Sequence, residues 1–137
     1  MTDRPPLISV VDDDESVRES LPDLIQVFGY SVNAFASAEE FLGSDSLDRT
    51  NCLILDIAMP GMSGPELQQE LMVRKLDIPI VFITAHFDET DRPRLIGAGA
   101  VDCLFKPFTE GEILGALRTA LLRSSSLNGE LVPEDEP

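Results

Sequence analysis

Cys52-Leu53-Ile54-Leu55-Asp56-Ile57-Ala58-Met59-Pro60-Gly61-Met62-Ser63-Gly64 is the stretch whose reading decides the fold. Its first four residues are apolar without alternation, the pattern of a short strand buried on both faces. Pro60, Gly61 and Gly64 then turn the chain. Beyond the turn, Leu67, Leu71 and Met72 are expected on one helical face, so the strand feeds a helix. A carboxylate, Asp56, stands where the strand ends.

The same unit recurs on either side. Residues 7–11 are an apolar run, followed over 15–28 by a helical pattern through Val17, Leu21, Leu24, Ile25 and Phe28. Residues 31–35 predict a second strand, and Ser37 is a candidate N-cap for a short helix through Phe41 and Leu42 that stops near Gly43. A fourth strand, 80–83, leads through Thr84-Ala85-His86 into a weak helical stretch, expected to be broken by Pro93 and ended by Gly97 and Gly99. Residues 101–105 predict the fifth strand, Lys106-Pro107 follows, and Ile113, Leu114, Leu117 and Leu121 mark a last amphipathic helix. Five strand–helix units predict the α/β class: a doubly wound parallel sheet covered by helices on both faces. At 137 residues, one domain over 6–123 is expected, with a flexible acidic tail or linker over 124–137.

Ten Lys and Arg against 25 Asp and Glu leave a formal charge of −15, which opposes direct nucleic-acid binding and attraction to an anionic membrane. No apolar run approaches the ~20 residues that span a bilayer, and the first six residues lack the pattern of a secretory signal. The expected location is the cytoplasm. Cys52 and Cys103 fall in predicted strands and read as two reduced core thiols.

In open α/β sheets, functional groups gather at the carboxyl ends of strands. Here these ends carry Asp12, Asp13 and Asp14, then Asp56, Thr84 and Lys106. Asp14 and Glu15 are accounted for by a helix N-terminus, where negative charge complements the dipole. Asp12, Asp13 and Asp56, brought together, would repel unless protons or a cation neutralised them. Mg²⁺ suits such a site, since it takes oxygen ligands and is usually held by one or two carboxylates plus a phosphate oxygen. Asp13 and Asp56 are candidate direct ligands. Lys106 would meet phosphoryl oxygens with an ammonium charge and Thr84 with a hydroxyl donor. Together these groups would stabilise in-line phosphoryl transfer to Asp56.

Val10-Val11-Asp12-Asp13, Leu53-Ile54-Leu55-Asp56, Met59-Pro60-Gly61-Met62-Ser63-Gly64, Ile83-Thr84-Ala85, Gly97-Ala98-Gly99-Ala100 and Lys106-Pro107-Phe108 resemble, in order, the receiver domain of bacterial response regulators. The likeness extends over residues 6–123, and Thr84-Ala85-His86 is similar to the turn of nitrogen-fixation-type receivers. The resemblance implies a flavodoxin-like strand order, 2-1-3-4-5, and phosphotransfer from a sensor histidine kinase or phosphotransfer protein to Asp56. It also implies Mg²⁺ held by Asp13, Asp56 and the Ala58 carbonyl, Asp12 acting through water, and a cis Lys106-Pro107 peptide. In that strand order Cys52 and Cys103 lie roughly 9 to 10 Å apart, beyond disulfide reach. Downstream proteins would dock on the fourth helix, fifth strand and fifth helix, and a phosphorylation-dependent homodimer is compatible with the same reading.

One position departs from the family. Three residues before the motif lysine, receivers usually carry a Tyr or Phe that moves with the threonine; here it is Cys103, so the switch pair would be Thr84 and Cys103. The expectation is a switch carried by backbone movement around the fourth helix. Ala58 leaves an acyl phosphate open to water, while His86 would cover part of it. Ala58 also stands where aspartate-nucleophile phosphatases place a general acid, so turnover of phosphoesters is not expected, beyond self-phosphorylation and self-dephosphorylation. A flavodoxin-like cofactor binder would need a phosphate cradle where Asp12 and Asp13 stand. An interaction module that keeps the fold without phosphorylation is the remaining alternative. The sequence suits equally a stand-alone receiver and the first domain of a longer regulator.

Overall fold

The computed structural model describes residues 5–85 and 90–127. Every apolar run is a strand. β1 (Leu7–Val11), β2 (Ser31–Phe35), β3 (Cys52–Asp56), β4 (Ile80–Thr84) and β5 (Asp102–Phe105) alternate with α1 (Glu15–Val27), α2 (Ala38–Leu42), α3 (Gly64–Val73), α4 (Asp91–Gly97) and α5 (Glu110–Leu127). The strands form one parallel sheet in the order β2-β1-β3-β4-β5. That order is the doubly wound, flavodoxin-like arrangement, and it makes β3 the centre.

Burial follows position in the sheet. Every residue of β1, β3 and β4 is buried, which is why their sequences do not alternate. β2, at the edge, has no buried residue and tolerates Asn33. Successive strand side chains point to opposite faces. Ile8, Val10, Ile54 and Ile83 therefore pack with Leu21 and Ile25 of α1 and Ile113 and Leu117 of α5. Val11, Leu53, Leu55 and Phe82 pack on the other face with Phe41 of α2, Leu67 and Leu71 of α3 and Leu95 of α4.

Helix starts are set by local chemistry. Asp14 caps α1, its carboxylate accepting from the Ser16 amide at 3.0 Å. Ser37 caps α2 through the Glu40 amide, and Ser63 and Glu66 form a reciprocal capping box on α3. Three expectations change. Pro93 does not break α4: it is the third residue of the helix, in the first turn, where an amide would have no intrahelical partner. Met72 is 56% exposed, and Gln68 is buried beside Leu67 and Leu71 instead. Five residues past Leu67, Met72 is rotated by ~140° from the buried stripe. The backbone of α5 also continues to Leu127, past Arg123 at the expected domain edge, while residues 128–137 lie outside the described residues.

Cys52 and Cys103 are both buried and in no disulfide. Cys52 belongs to the α1/α5 face and Cys103 to the α2/α3/α4 face, so the sheet itself separates them. Burial pushes the Cys52 thiol up to about 12. The Lys106-Pro107 peptide is cis. Among the described residues, no helix is long and apolar enough to cross a membrane.

Candidate functional site

Parallel pairing brings the carboxyl ends of four strands to one edge. Val11 is level with Leu55, Asp56 with Ile83, and Thr84 with Phe105. Asp12 and Asp13 after β1, Asp56 closing β3, Thr84 closing β4 and Lys106 after β5 therefore converge. They line a cleft of about 190 Å³ with Asp14, Ala58 and Ala85.

Asp12 is fully buried and tightly held. Lys106 Nζ donates to its Oδ2 at 2.8 Å, and its Oδ1 accepts from the Asp14 amide at 2.9 Å. The Asp12 amide donates to the Phe35 carbonyl at 3.1 Å, and its own carbonyl accepts from the Arg18 guanidinium at 3.0 Å. Lys106 Nζ also lies 3.9 Å from Asp56 Oδ1, so one ammonium group serves two carboxylates.

Asp12, Asp13 and Asp56 each offer an oxygen within 4.8 Å of the others; the first and last are buried and Asp13 is exposed. The electrostatic consequence falls on Asp56. Burial, and then the charge of Asp12, raise its carboxyl to about 7, against the lowering effect of Lys106. Asp14 behaves oppositely: its hydrogen bonds from Ser16 hold it below the usual carboxylate range, as suits a helix cap. Three carboxylates that share a single ammonium group, with hard oxygen donors and an open Asp13 side, are a chemical fit for a divalent cation of the Mg²⁺ type.

Of the residues singled out in the sequence, Asp12, Asp13, Asp56, Ala58, Thr84 and Lys106 meet in this cleft. Cys103 does not. It is 1% exposed and lines the inner wall of a separate groove of about 610 Å³, between α4, β5 and α5, with Arg92, Asp102, Gly115 and Thr119. His86 lies outside the described residues.

Two contributors went unread in the sequence. Gly64 opens α3 directly against Asp56: a Cβ there would overlap the Asp56 carbonyl oxygen and stand 3.0 Å from the Phe82 ring. The Gly64 amide donates to the Ile57 carbonyl at 2.9 Å, drawing the turn closed. Its signal was the second glycine of Gly61-Met62-Ser63-Gly64, which reads only as a turn until α3 is packed. Arg18 is the other, a cation one turn past Asp14 that reaches back to the Asp12 backbone.

Fold and cleft together define a flavodoxin-like α/β protein whose acidic, cation-ready site sits where the strand order reverses, beside β1 and β3. The response regulator receiver domain family matches residues 8–118, and the chain belongs to that family: it is a receiver domain of two-component response regulators. It is 46% identical over 121 residues to the response regulator protein TodT of Pseudomonas putida, covering 88% of this chain and 53% of that protein. It is 39% identical over 113 residues to the transcriptional regulatory protein FixJ of Rhizobium meliloti, covering 82% and 55%. Among solved structures, response regulator StyR superposes with TM-score 0.81 at 43% identity, covering 90% of this chain and 63% of that one. FixJ-N superposes with TM-score 0.78 at 38% identity, covering 89% and 96%. The chain thus spans about half the length of the curated relatives it matches.

Proposed function

We propose that Asp56 accepts a phosphoryl group from a sensor histidine kinase or phosphotransfer protein, and that the modified domain presents an altered surface to a downstream partner. The observation that carries this reading is the placement of Asp56 at the end of the central strand, with two carboxylates within 4.8 Å and Lys106 Nζ 3.9 Å from its Oδ1. A carboxylate oxygen of Asp56 attacks phosphorus, the bond to the donor imidazole nitrogen breaks, and that nitrogen keeps the electron pair.

Asp13, Asp56 and the Ala58 carbonyl would hold Mg²⁺, with Asp12 acting through water. Held there, Mg²⁺ would supply positive charge to offset the acid cluster and the charge of the phosphoryl oxygens. It would also lower the Asp56 carboxyl from about 7, so that the nucleophile is ionised at neutral pH. Lys106 already shares its charge between Asp12 and Asp56, and would turn toward the incoming phosphoryl oxygens. Thr84, buried at the cleft wall, would donate its hydroxyl to another. Ala58 supplies no general acid, which supports a lasting acyl phosphate with only self-phosphorylation and self-dephosphorylation.

Docking of the output partner on α4, β5 and α5, and a phosphorylation-dependent homodimer there, belong to the same proposal. So does a cytoplasmic location. With Cys103 in place of a rotating aromatic ring, the change at Thr84 would be passed on by backbone movement of α4. Near-identical chemical shifts over residues 88–103 with and without a phosphoryl mimic would refute that part.

Incubation with acetyl phosphate or phosphoramidate and Mg²⁺, followed by intact mass, tests the central claim. One added phosphate, lost in Asp56→Asn and on chelation, is expected. Absence of any adduct would favour the interaction module that keeps the fold without phosphorylation, and release of many phosphates per chain from a small phosphoester would favour an aspartate-nucleophile phosphatase.

A further inference from the structure

The segment that carries the Ala58 carbonyl is tied down from outside the acidic cluster. Turn 59–63 links the cleft to α3 and has three anchors. Met59 is buried in the apolar cluster that contains Ala38 and Phe41 of α2. At the far end, the Ser63 amide donates to Glu66 at 2.9 Å. Between them, the Met62 amide donates to Glu39 Oε2 at 3.1 Å, a bond between residues 23 apart in sequence.

Glu39 has no capping duty of its own. The neighbouring Glu40 takes that part, accepting from the Ala36 amide at 3.2 Å, while its own amide donates to Ser37 Oγ. Gly61 is shaped to the Glu39 carboxylate. With φ at +74° it is in the left-handed region, and a Cβ there would stand 3.0 Å from Glu39 Oε2. A side chain at Gly61 would press on the carboxylate that holds the next amide.

We infer that Glu39 is a positioning residue for the phosphoacceptor cleft: its carboxylate, through the Met62 amide, fixes turn 59–63 and hence the Ala58 carbonyl offered to the cation. The inference rests on the functional reading above, and it makes α2 part of the acceptor site. Glu39 does not line the cleft itself. It acts by limiting how far the turn can swing away from Asp56.

Mg²⁺ binding isotherms on the unphosphorylated full chain, for wild type, Glu39→Gln and Glu39→Ala, test it, together with amide exchange at Met62 in metal-free protein. Glu39→Ala is expected to weaken Mg²⁺ binding about fivefold, the size of one hydrogen bond of ordinary net strength, and to speed Met62 exchange. Glu39→Gln keeps an acceptor oxygen and should stay within about twofold of wild type. Equal affinities in wild type and Glu39→Ala would overturn the inference while leaving the acceptor reading intact. Equal losses in both variants would also overturn it, because the distant negative charge rather than the hydrogen bond would then be responsible. No Mg²⁺ binding by wild type would overturn the acceptor reading and this inference with it.

Discussion

Asp56→Asn should stabilise the metal-free protein, and by an amount that depends on pH in a defined direction. Burial and the Asp12 charge raise the Asp56 carboxyl from 3.8 to about 7 in the folded chain, whereas the unfolded chain keeps the ordinary value. Below about pH 4 the group is protonated in both states and costs nothing. As pH rises from there, the unfolded chain ionises first, so folding stability falls until the folded group also ionises near 7. At about 1.4 kcal/mol per pH unit over this interval, the penalty above pH 7 has a ceiling of about 4 kcal/mol. Water entry at the exposed Asp13 side and small movements of Lys106 relieve part of it, so a gain of roughly 2 to 4 kcal/mol is expected. Asparagine has nearly the same shape, carries no charge and can donate to Asp12. In a chain of this size the gain corresponds to a rise of about 7 to 14 °C in Tm. Thermal unfolding in chelator, at pH 4.5, 6 and 8, gives the profile: a small difference at the first, the largest at the last. Added Mg²⁺ should raise Tm for wild type far more than for Asp56→Asn at pH 8. A Tm difference that is absent, or constant across pH, would refute the electrostatic account of the cleft.

Lys106→Met removes the 2.8 Å partner of the fully buried Asp12, and should cost about 2 kcal/mol or more at pH 8. The loss should be milder at pH 5, where Asp56 is protonated in the folded chain and no longer repels Asp12, and Asp12→Asn added to it should recover part; urea midpoints read all three. Gly64→Ala places a methyl against the Asp56 carbonyl and the Phe82 ring, and should lower the urea midpoint by the equivalent of about 1 to 3 kcal/mol. It should also slow phosphoryl uptake from acetyl phosphate, which no remote destabilising mutation of equal size would do. Neither of the two cysteines should react with an aromatic disulfide reagent in the native protein, because both are buried and the Cys52 thiol is pushed to about 12. Two thiols per chain should appear on denaturation.

Most of the architecture was legible from apolar runs and caps. Residues 52–55 and 80–83 are apolar throughout because β3 and β4 are covered on both faces, and Asp14 and Ser37 mark helix starts by capping that needs only neighbouring residues. Misreadings arose where rotation or packing outweighed pattern. Met72 is apolar but turned out of the α3 stripe, and Pro93 sits one turn earlier in its helix than a helix breaker would. The candidate site was legible because residues that follow parallel strands must meet at one sheet edge, so Asp12, Asp13, Asp56, Thr84 and Lys106 could be gathered before any coordinates.

By itself, then, the sequence determined the class of fold, the edge where chemistry collects and the residues that form it, since each follows from local periodicity and chain direction. Only the tertiary structure decided that Asp56 is raised to about 7, that Lys106 serves both Asp12 and Asp56, that Gly64 must lack a side chain, and that Glu39 reaches turn 59–63. Those are distances and burials between segments far apart in the chain, and they exist only once the sheet has formed and the helices have packed on it.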